Sequence, residues 1–368
     1  MIRVFEPKLK FKDKVSVFKT MQKNFISGTS PIVKEFEYEL ASKFDRKYCV
    51  ALSNGSVALD VALQLYDFEE NDEIIIPSFT IISCLSAVLR TKATPIFCDV
   101  DINSWNMTLE NIKKVISNNT KAIILVHLYG LVGEVNKIVE YCNENNIIII
   151  EDAAESHGQT VGGKLCGSIG DVSTFSFYAN KHITTGEGGA VLTDNKEQFL
   201  KLGQMVNLDF ENSKRFIHNN LYWNYRLGGL QAALGLSQIK SLEKTITRKI
   251  EQGNYYGKLF SDLSNYLQLP LREYKGVRNH YWVYGIILKK PELKVELAEY
   301  LLNNDIETRP FFYPLHLQPA LPEIYKDLTF KPIVSEKLYK SGLYIPIGNH
   351  LTQKKQRYIS NKIHNFFN

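Results

Sequence analysis

Short apolar runs rich in β-branched residues recur through the first two thirds of this chain and alternate with amphipathic stretches. Because these runs are continuous, they are typical of strands buried on both faces of a sheet. Strands of this kind joined by helices form a mainly parallel α/β sheet with right-handed crossovers. Helices are predicted between several of the strands, such as Gly55–Tyr66 and Glu134–Asn145. The seven predicted strands are Tyr48–Leu52, Glu73–Ile76, Thr94–Cys98, Lys121–His127, Ile147–Glu151, Val172–Phe177 and Ala190–Thr193.

The remaining third of the chain predicts a second, smaller unit. Apolar positions from Leu230 to about Phe260 recur at helical spacing and predict one long connecting helix. We place the domain boundary after residue 249, which leaves a large domain with the N-terminal segment (1–249) and an α+β C-terminal domain (250–368). A length of 368 residues is ample for both. In the second domain we predict a strand near Tyr281–Leu288 and helices near Glu292–Asn303, Ser335–Ser341 and Thr352–Phe366.

Composition excludes several classes of function. The net charge of +5 is spread along the chain without a basic block, which argues against a nucleic-acid partner and permits an anionic small substrate. No apolar run reaches membrane-spanning length, and the first residues lack an apolar signal core. The five cysteines have no CxxC spacing, which favours reduced thiols in a cytoplasmic protein. The histidines lack the short pairings of metal sites, so no metal is predicted.

A lone lysine, Lys181, follows an apolar, aromatic run and precedes a glycine-rich turn within the segment 173–189. Burial lowers the pKa of an ammonium group and frees a nucleophilic amine. About 30 residues upstream, a buried strand ends in Glu151 and Asp152, and ligands of parallel sheets bind beyond the carboxyl ends of strands. Pyridoxal phosphate requires this pair, a lysine for the Schiff base and an acid for the pyridinium proton.

Three further segments have both a functional and an ordinary interpretation. Gly55 and Ser56 follow a strand and open a helix, where free amides attract phosphate, although Asn-Gly is also a common turn. Asp152 could instead cap the turn that follows it. Ser176 could bind the same phosphate or make a local bond within its strand. Among the eight histidines, mostly expected to be structural or on the surface, His157 and His182 are the candidates for substrate contact.

Taken together, these segments resemble the sugar aminotransferases of the DegT/DnrJ/EryC1/StrS family, over nearly the whole chain. The acidic cluster followed by the lysine segment is the most specific part of the resemblance, and the segment from Thr308 to His316 is most similar to the GDP-perosamine synthases of that family. The matching stretches are 53–59, 76–80, 151–158, 176–189, 224–226 and 308–316.

The resemblance implies a fold-type I pyridoxal-phosphate aminotransferase with a role for each matched residue. Lys181 would bond to the cofactor and later move protons, and Asp152 would pair with the ring nitrogen. Glu155 would lie near the ring hydroxyl. The phosphate would be held by Gly55, Ser56 and Ser176, and by Asn224 reaching the cofactor of a neighbouring subunit in a homodimer with shared sites.

The resemblance also implies L-glutamate as donor and a nucleotide keto-sugar as acceptor, with GDP-4-keto-6-deoxymannose, giving GDP-perosamine for surface polysaccharide, as the first choice. UDP- or dTDP-linked keto-6-deoxyhexoses, 3-keto sugars and a small phosphorylated ketone stay open. Arg226 and Arg309, with Lys214 and Arg215, are candidates for diphosphate contacts, or else ordinary solvated charges. A sugar dehydratase of the same fold would carry histidine in place of Lys181, and a regulator or scaffold would need an added module.

Two positions depart from the family pattern. Ile81 stands where an aromatic residue often stacks on the cofactor ring, and an aliphatic side chain there would cover the ring with less face-to-face contact. The stretch Leu227-Gly228-Gly229-Leu230 replaces small polar residues at a predicted subunit-interface loop. Each departure points to an unusual acceptor, and neither removes the chemistry.

Overall fold

The structure is a computed structural model that describes residues 1–210, 214–326 and 330–368. A central sheet and one small hairpin account for the strands of the first two thirds of the chain. These strands are β1 (Tyr48–Leu52), β2 (Glu73–Pro77), β3 (Thr94–Cys98), β4 (Thr120–Val126), β5 (Ile148–Asp152), β6 (Thr160–Val161), β7 (Lys164–Leu165), β8 (Val172–Ser176) and β9 (Gly189–Thr193).

The central sheet has seven strands in the order β1-β9-β8-β5-β4-β2-β3. The strands β8, β5, β4, β2 and β3 pair in parallel, whereas β9 is antiparallel to both β8 and β1. The carboxyl ends of β1, β5 and β8 therefore lie at one edge of the sheet. The predicted mainly parallel seven-stranded sheet is confirmed, and each predicted strand agrees with the observed one to within one residue at either end.

Helices cover both faces of this sheet. On one face, α3 (Gly55–Leu63), β2 and β4 contribute Leu59, Ile75 and Ile123 to a large apolar core. On the other face, Phe36 of α2 (Pro31–Lys43) and Leu236 of α8 (Gly229–Ile239) pack with Phe175 of β8 in a second core. The helices of this part are α1 (Phe11–Gln22), α2 (Pro31–Lys43), α3 (Gly55–Leu63), α4 (Ser83–Val88), α5 (Leu109–Lys113), α6 (Val135–Glu144), α7 (Lys196–Met205), α8 (Gly229–Ile239) and α9 (Leu242–Leu259).

The prediction of one long helix from Leu230 to Phe260 is wrong, because the chain breaks between α8 and α9. Ser241 leaves the helical region with φ −111° and ψ 0°. The buried positions Leu236, Ile239, Leu242, Ile246 and Lys249 keep helical spacing across the break. Neither glycine nor proline occurs at the break, so the sequence pattern contains no signal for it.

The rest of the chain forms a smaller antiparallel sheet in the order β10-β13-β15-β14, with a separate hairpin of β11 and β12. The first residues of the chain join this part, since Ile2 bridges Ile306 in parallel. Its elements are β10 (Leu267–Gln268), β11 (Glu273–Tyr274), β12 (Val277–Arg278), β13 (Tyr284–Leu288), α10 (Leu293–Asn303), β14 (Arg309–Pro310), α11 (Ile333–Ser341), β15 (Gly342–Ile345) and α12 (Gln353–Phe367).

A third apolar core belongs to this smaller sheet. It includes Tyr256 and Phe260 of α9, Ile286 of β13 and Ile359 of α12. The predicted strand and three helices of the C-terminal domain are present, with the strand starting three residues later than predicted. The domain boundary proposed after residue 249 falls within α9, and this helix contributes side chains to both parts. The boundary therefore stays a proposal. Among the described residues, every helix is too short or too polar to cross a membrane.

Asp99, just beyond β3, ties the central sheet to the smaller domain. Its carboxylate accepts the Val334 and Ser335 amides, both at 2.8 Å, and the Ser335 hydroxyl at 2.7 Å. These are the free amides of the first turn of α11, whose preceding residue, Pro332, has no side-chain acceptor. Asp99 therefore caps a helix of the other domain.

We predict that Asp99→Ala lowers the free energy of unfolding by about 2 kcal/mol, because buried amides of α11 lose a charged acceptor. Urea unfolding followed by circular dichroism measures the change. Glu110→Ala, at an exposed residue of α5, is the matched control and should change stability by less than about 0.5 kcal/mol. Equal stability of the two variants would contradict the capping role.

Candidate active site

A cavity of about 680 Å³ opens at the edge of the sheet where β1, β5 and β8 end. Its wall combines residues of the large domain with Trp282, Phe312 and Tyr344 of the smaller one. Six of the residues predicted from the sequence line this cavity: Gly55, Ser56, Asp152, Glu155, Ser176 and Lys181. The structure thus brings together the predicted lysine, both acids and the predicted phosphate contacts.

Lys181 lies in the turn that follows β8, with a side chain only 10% exposed. Its Nζ is 3.7 Å from Oε1 of Glu155 and 4.0 Å from the centre of the Trp282 ring. Burial lowers the pKa of this amine, while Glu155 and Asp152 act in the opposite direction. The net shift is downward, as a nucleophilic amine requires.

Asp152 is the last residue of β5 and is a buried residue of the cavity wall. One carboxylate oxygen accepts the Ala154 amide at 3.0 Å, and the other lies 3.8 Å from the Cys84 thiol. Among the described residues it has no cationic partner within ion-pair distance, and burial raises its pKa. A buried carboxylate without a cation fits a ligand that brings its own positive charge, such as a pyridinium nitrogen.

Glu155 is positioned by an unusual backbone geometry. Oε2 accepts the Tyr129 amide at 2.9 Å, and Tyr129 itself has a positive φ of 58°. The Tyr129 carbonyl in turn accepts the Trp282 amide at 3.1 Å. Burial raises the pKa of Glu155 to about 7, against the opposing effect of Lys181. A strained turn therefore connects this carboxylate to the domain that provides Trp282.

The predicted phosphate end of the site is the N-terminus of α3. Asn54 caps the helix by accepting the Val57 amide at 2.9 Å, and this leaves the amides of Gly55 and Ser56 available to an anion. A Cβ on Gly55 would lie 2.7 Å from Cβ of Ser176, so only glycine allows the helix to approach β8 this closely. Ser56 shares a 2.6 Å hydroxyl contact with Ser83, which also lines the cavity. These donors and this clearance fit a phosphate group.

The two departures from the family pattern have clear places in the structure. Ile81 lines the cavity and is 42% exposed. Gly229 begins α8, and a Cβ there would lie 2.0 Å from the Phe25 carbonyl oxygen. Close contact between two backbone segments therefore explains the glycine at that position.

The other predicted site residues lie outside the cavity. His157 is packed among Phe44, Phe175 and Phe177, and its ring accepts the Ile183 amide at 3.3 Å. His182 is also buried, beside a separate small cavity behind Lys181. Burial lowers the pKa of both rings, to about 3 for His157. The geometry gives no support to a substrate contact for either histidine, and that contact stays a prediction.

The polar residues predicted to meet a neighbouring subunit or a diphosphate lie on the surface. Asn224 is exposed and forms an isolated backbone bridge with Asn207, which also accepts a hydrogen bond from the Arg226 guanidinium. Arg309 is 55% exposed and pairs with Glu307 at 3.0 Å. None of these residues lines the cavity of this chain. Their predicted roles therefore depend on contacts outside this chain.

Sequence analysis missed the residues of the wall opposite the sheet. Trp282, Phe312 and Tyr344 reach the cavity from the smaller domain, Thr80 reaches it from the loop after β2, and Ser83 from the start of α4. Phe312 falls inside the segment 308–316 and Thr80 inside the segment 76–80, and the resemblance of these two segments to the family was the available signal. Trp282 lies within the predicted strand Tyr281–Leu288, and nothing in that strand indicated a functional position.

The described residues also bring His127, Glu151 and Cys166 together, with their ligand atoms within 4.8 Å of one another. The Glu151 oxygens, however, already accept His127 Nε2 at 2.8 Å and three backbone amides of the loop 167–170, at 2.6 to 3.0 Å. These bonds lower the pKa of Glu151 despite its burial. The group is therefore best described as a buried ion pair that fixes this loop behind Asp152.

We predict that Gly55→Ala weakens pyridoxal phosphate binding at least about tenfold, because the added Cβ forces α3 away from Ser176. Titration of the cofactor-free protein, followed by visible absorbance, measures the dissociation constant. Gly203→Ala is the matched control, since a Cβ on this α7 residue meets nothing within 4 Å. Unchanged affinity in the Gly55 variant would show that the phosphate binds elsewhere.

Comparison with known proteins agrees with this site. Residues 8–364 match the profile of the DegT/DnrJ/EryC1/StrS aminotransferase family. The chain is 36% identical to the GDP-perosamine synthase of Escherichia coli O157:H7, covering 100% of this chain and 98% of that protein. It is 33% identical to the GDP-perosamine synthase of Vibrio cholerae, with both chains fully covered.

Among solved structures, an aminotransferase from Psychrobacter cryohalolentis superposes with a TM-score of 0.91 at 26% identity, covering 99% of this chain and 98% of that one. The family match over almost the whole chain and the end-to-end similarity to two proteins named GDP-perosamine synthase lead to one conclusion. The chain belongs to the DegT/DnrJ/EryC1/StrS family and is a pyridoxal-phosphate-dependent sugar aminotransferase.

Proposed function

We propose that this enzyme transfers the amino group of L-glutamate to GDP-4-keto-6-deoxymannose and so forms GDP-perosamine for a surface polysaccharide. The observation that carries the proposal is a buried amine, Lys181, placed beside Glu155 in a cavity that Asp152 also lines. The choice of acceptor is supported by the end-to-end similarity to two proteins named GDP-perosamine synthase.

Each polar cavity residue that was predicted from the sequence has a task in this proposal. Bound pyridoxal phosphate supplies an electron sink for the carbon that carries the amino group. Asp152 keeps the ring nitrogen protonated, and Lys181 takes and returns a proton as a general base. Glu155 lies within reach of Lys181 Nζ and orients it. The amides that begin α3, with Ser56 and Ser176, hold the phosphate.

The walls from the two domains exclude water from the reacting atoms. The Trp282 ring lies over Lys181 Nζ, and Phe312 and Tyr344 line the same cavity. A reaction that passes a proton between an amine and carbon benefits from a site with little water, because the charges interact more strongly there. The sugar of the acceptor would lie against these aromatic faces.

We further propose that the enzyme works as a cytoplasmic homodimer with shared active sites. Lys181 is the only lysine or arginine that lines the cavity in the part of the chain that the structure describes. A nucleotide diphosphate carries at least two negative charges, so further cations would have to come from beyond this cavity wall. Asn224, exposed near the α3 N-terminus through the bridge between Leu52 and Arg226, is the proposed contribution to a partner's phosphate site.

A keto-sugar dehydratase of the same fold is the second candidate, because it would use a similar cavity and substrate. The presence of Lys181 argues against it, since the dehydratases that the chain resembles carry histidine at that position. UDP- or dTDP-linked 4-keto-6-deoxyhexoses, 3-keto sugars and a small phosphorylated ketone remain alternative acceptors.

We predict that purified protein with pyridoxal phosphate shows a visible absorption band that L-glutamate removes. Among GDP-, UDP- and dTDP-linked keto-sugars, GDP-4-keto-6-deoxymannose should restore the band fastest and yield an aminated sugar by mass spectrometry. Lys181→Ala should lose the band and the activity, because the bonding amine is gone. The control Lys244→Met, at an exposed residue of α9, should retain both.

Three results would count against the proposal or a part of it. A band that L-glutamate leaves unchanged would require another donor or another reaction class. Restoration by a UDP- or dTDP-linked sugar, with no response to the GDP-linked one, would leave the aminotransferase intact and replace the proposed acceptor. Loss of the sugar hydroxyl without amination would favour the dehydratase.

A further inference from the structure

The N-terminal strap, which is formed by residues 1–10, runs from one part of the molecule to the other. Near its start, the Val4 amide donates to Oε2 of Glu307 at 2.9 Å, just before β14. After its end, Asp13 of α1 accepts a hydrogen bond from the Ser237 hydroxyl of α8 at 2.5 Å. The strap is therefore attached to the smaller sheet at one end and, through α1, to the helices of the central sheet at the other.

Phe5 is the strap residue that contacts the wall of the active site. Its half-buried ring lies 6.1 Å from the Trp282 ring, with 23° between the ring planes, and 5.8 Å from the Tyr344 ring. Trp282 and Tyr344 both line the active-site cavity, whereas Phe5 does not. Aromatic pairs at such separations attract each other beyond the effect of the area they bury. Phe5 therefore supports two wall residues from outside the cavity.

Two aromatic neighbours and one hydrogen bond orient the Trp282 ring. Among the described residues, the aromatic rings that pair with it are those of Phe5 and Tyr129, the second at 5.8 Å. Its indole Nε1 donates to the Asn180 carbonyl at 3.2 Å, and its own carbonyl accepts from Lys249 Nζ at 2.8 Å. Loss of the Phe5 ring would leave one aromatic neighbour on this side chain.

The strap also forms part of a second cavity beside Lys181, with a volume of about 50 Å³. Residues 5–9 contribute to its wall, and Lys181 lines both this cavity and the active-site cavity. A space of this size holds a few water molecules at most. Removal of the Phe5 ring would enlarge it and bring more water to the amine.

We propose that Phe5 is a positioning residue for the active site: it holds the Trp282 ring over Lys181 and the Tyr344 ring in the cavity wall, and so keeps water from the amine. Because Phe5 lies outside the active-site cavity, its effect passes through these two rings. The inference rests on the proposed role of Lys181 as the bonding amine, but its test uses cofactor-free protein and needs no turnover.

The test measures the pKa of Lys181 in cofactor-free protein by competitive acetylation with acetic anhydride across a pH series, read by peptide mass spectrometry. Burial lowers this pKa, and Glu155 and Asp152 raise it. Water admitted by Phe5→Ala favours the charged forms of the amine and of both acids, so all three changes act in the same direction. We therefore expect the Lys181 pKa to rise by about one pH unit in Phe5→Ala.

Phe5→Ala removes no charge from the surroundings of Lys181, so the shift would report hydration. The ionisable groups that face Lys181 across the active-site cavity are Glu155 and Asp152. The small cavity beside Lys181 has five further ionisable groups in its wall: Glu6, Lys8, His182, Lys249 and His350.

Matched variants separate support of the wall from general loosening of the fold. Phe5→Tyr keeps the ring and should match the wild type, and Phe5→Leu should give a smaller rise if the alanine variant fails to fold. Phe366→Ala is the control, because this half-buried ring of α12 packs 5.5 Å from the Tyr300 ring, in the core of the smaller sheet. It should lower the midpoint of thermal unfolding and leave the Lys181 pKa unchanged.

A Lys181 pKa that stays the same or falls in Phe5→Ala would overturn the inference. An equal rise in Phe366→Ala would also overturn it, because general loosening of the fold would then explain the shift. If the expected shift is present but the wild-type protein does not transaminate, the inference stands and the proposed function is rejected instead.

Discussion

The removal of one amine from water is the constraint on which the rest of this site depends. Lys181 can serve as a nucleophile and base only if its ammonium form is disfavoured, and burial beneath Trp282 does this. Burial of the Lys181 ammonium would cost too much free energy without the two carboxylates. Their negative charges offset part of the hydration that the ammonium loses. The site therefore balances desolvation against Glu155 and Asp152, and small displacements of either acid would alter the reactivity of the lysine.

The fold achieves this balance by joining elements of the central sheet with elements from the last third of the chain. The large sheet places Asp152 and Ser176 at the ends of neighbouring strands, and the turn after β8 returns Lys181 to the same edge. The smaller domain covers that edge with Trp282, which is held by the Tyr129 carbonyl on one side and by Lys249 on the other. Asp99 adds a second connection between the domains by capping α11. These contacts hold Trp282 in place over Lys181, which keeps the Lys181 amine out of bulk water.

The sequence was most informative where function depends on local order along the chain. Asp152 and Ser176 end adjacent strands, and Lys181 follows the second of them closely, so strand prediction alone brings these residues together. His157 and His182 adjoin site residues in sequence but are buried in the protein interior, so their substrate contact stays a prediction. Trp282 and Tyr344 could not be found in this way, because they come from a domain more than a hundred residues away. Lys249 follows the helical spacing of buried residues, yet a lysine in an amphipathic helix is normally interpreted as solvated.

The most direct test of the central claim is to trap the bonded cofactor and locate it. Protein loaded with pyridoxal phosphate is reduced with borohydride and digested, and the modified peptide is sequenced by mass spectrometry. The account predicts that the cofactor is attached at Lys181 alone, and that Lys249 and the surface lysines are unmodified. Attachment at Lys249, or at several lysines with none preferred, would contradict it.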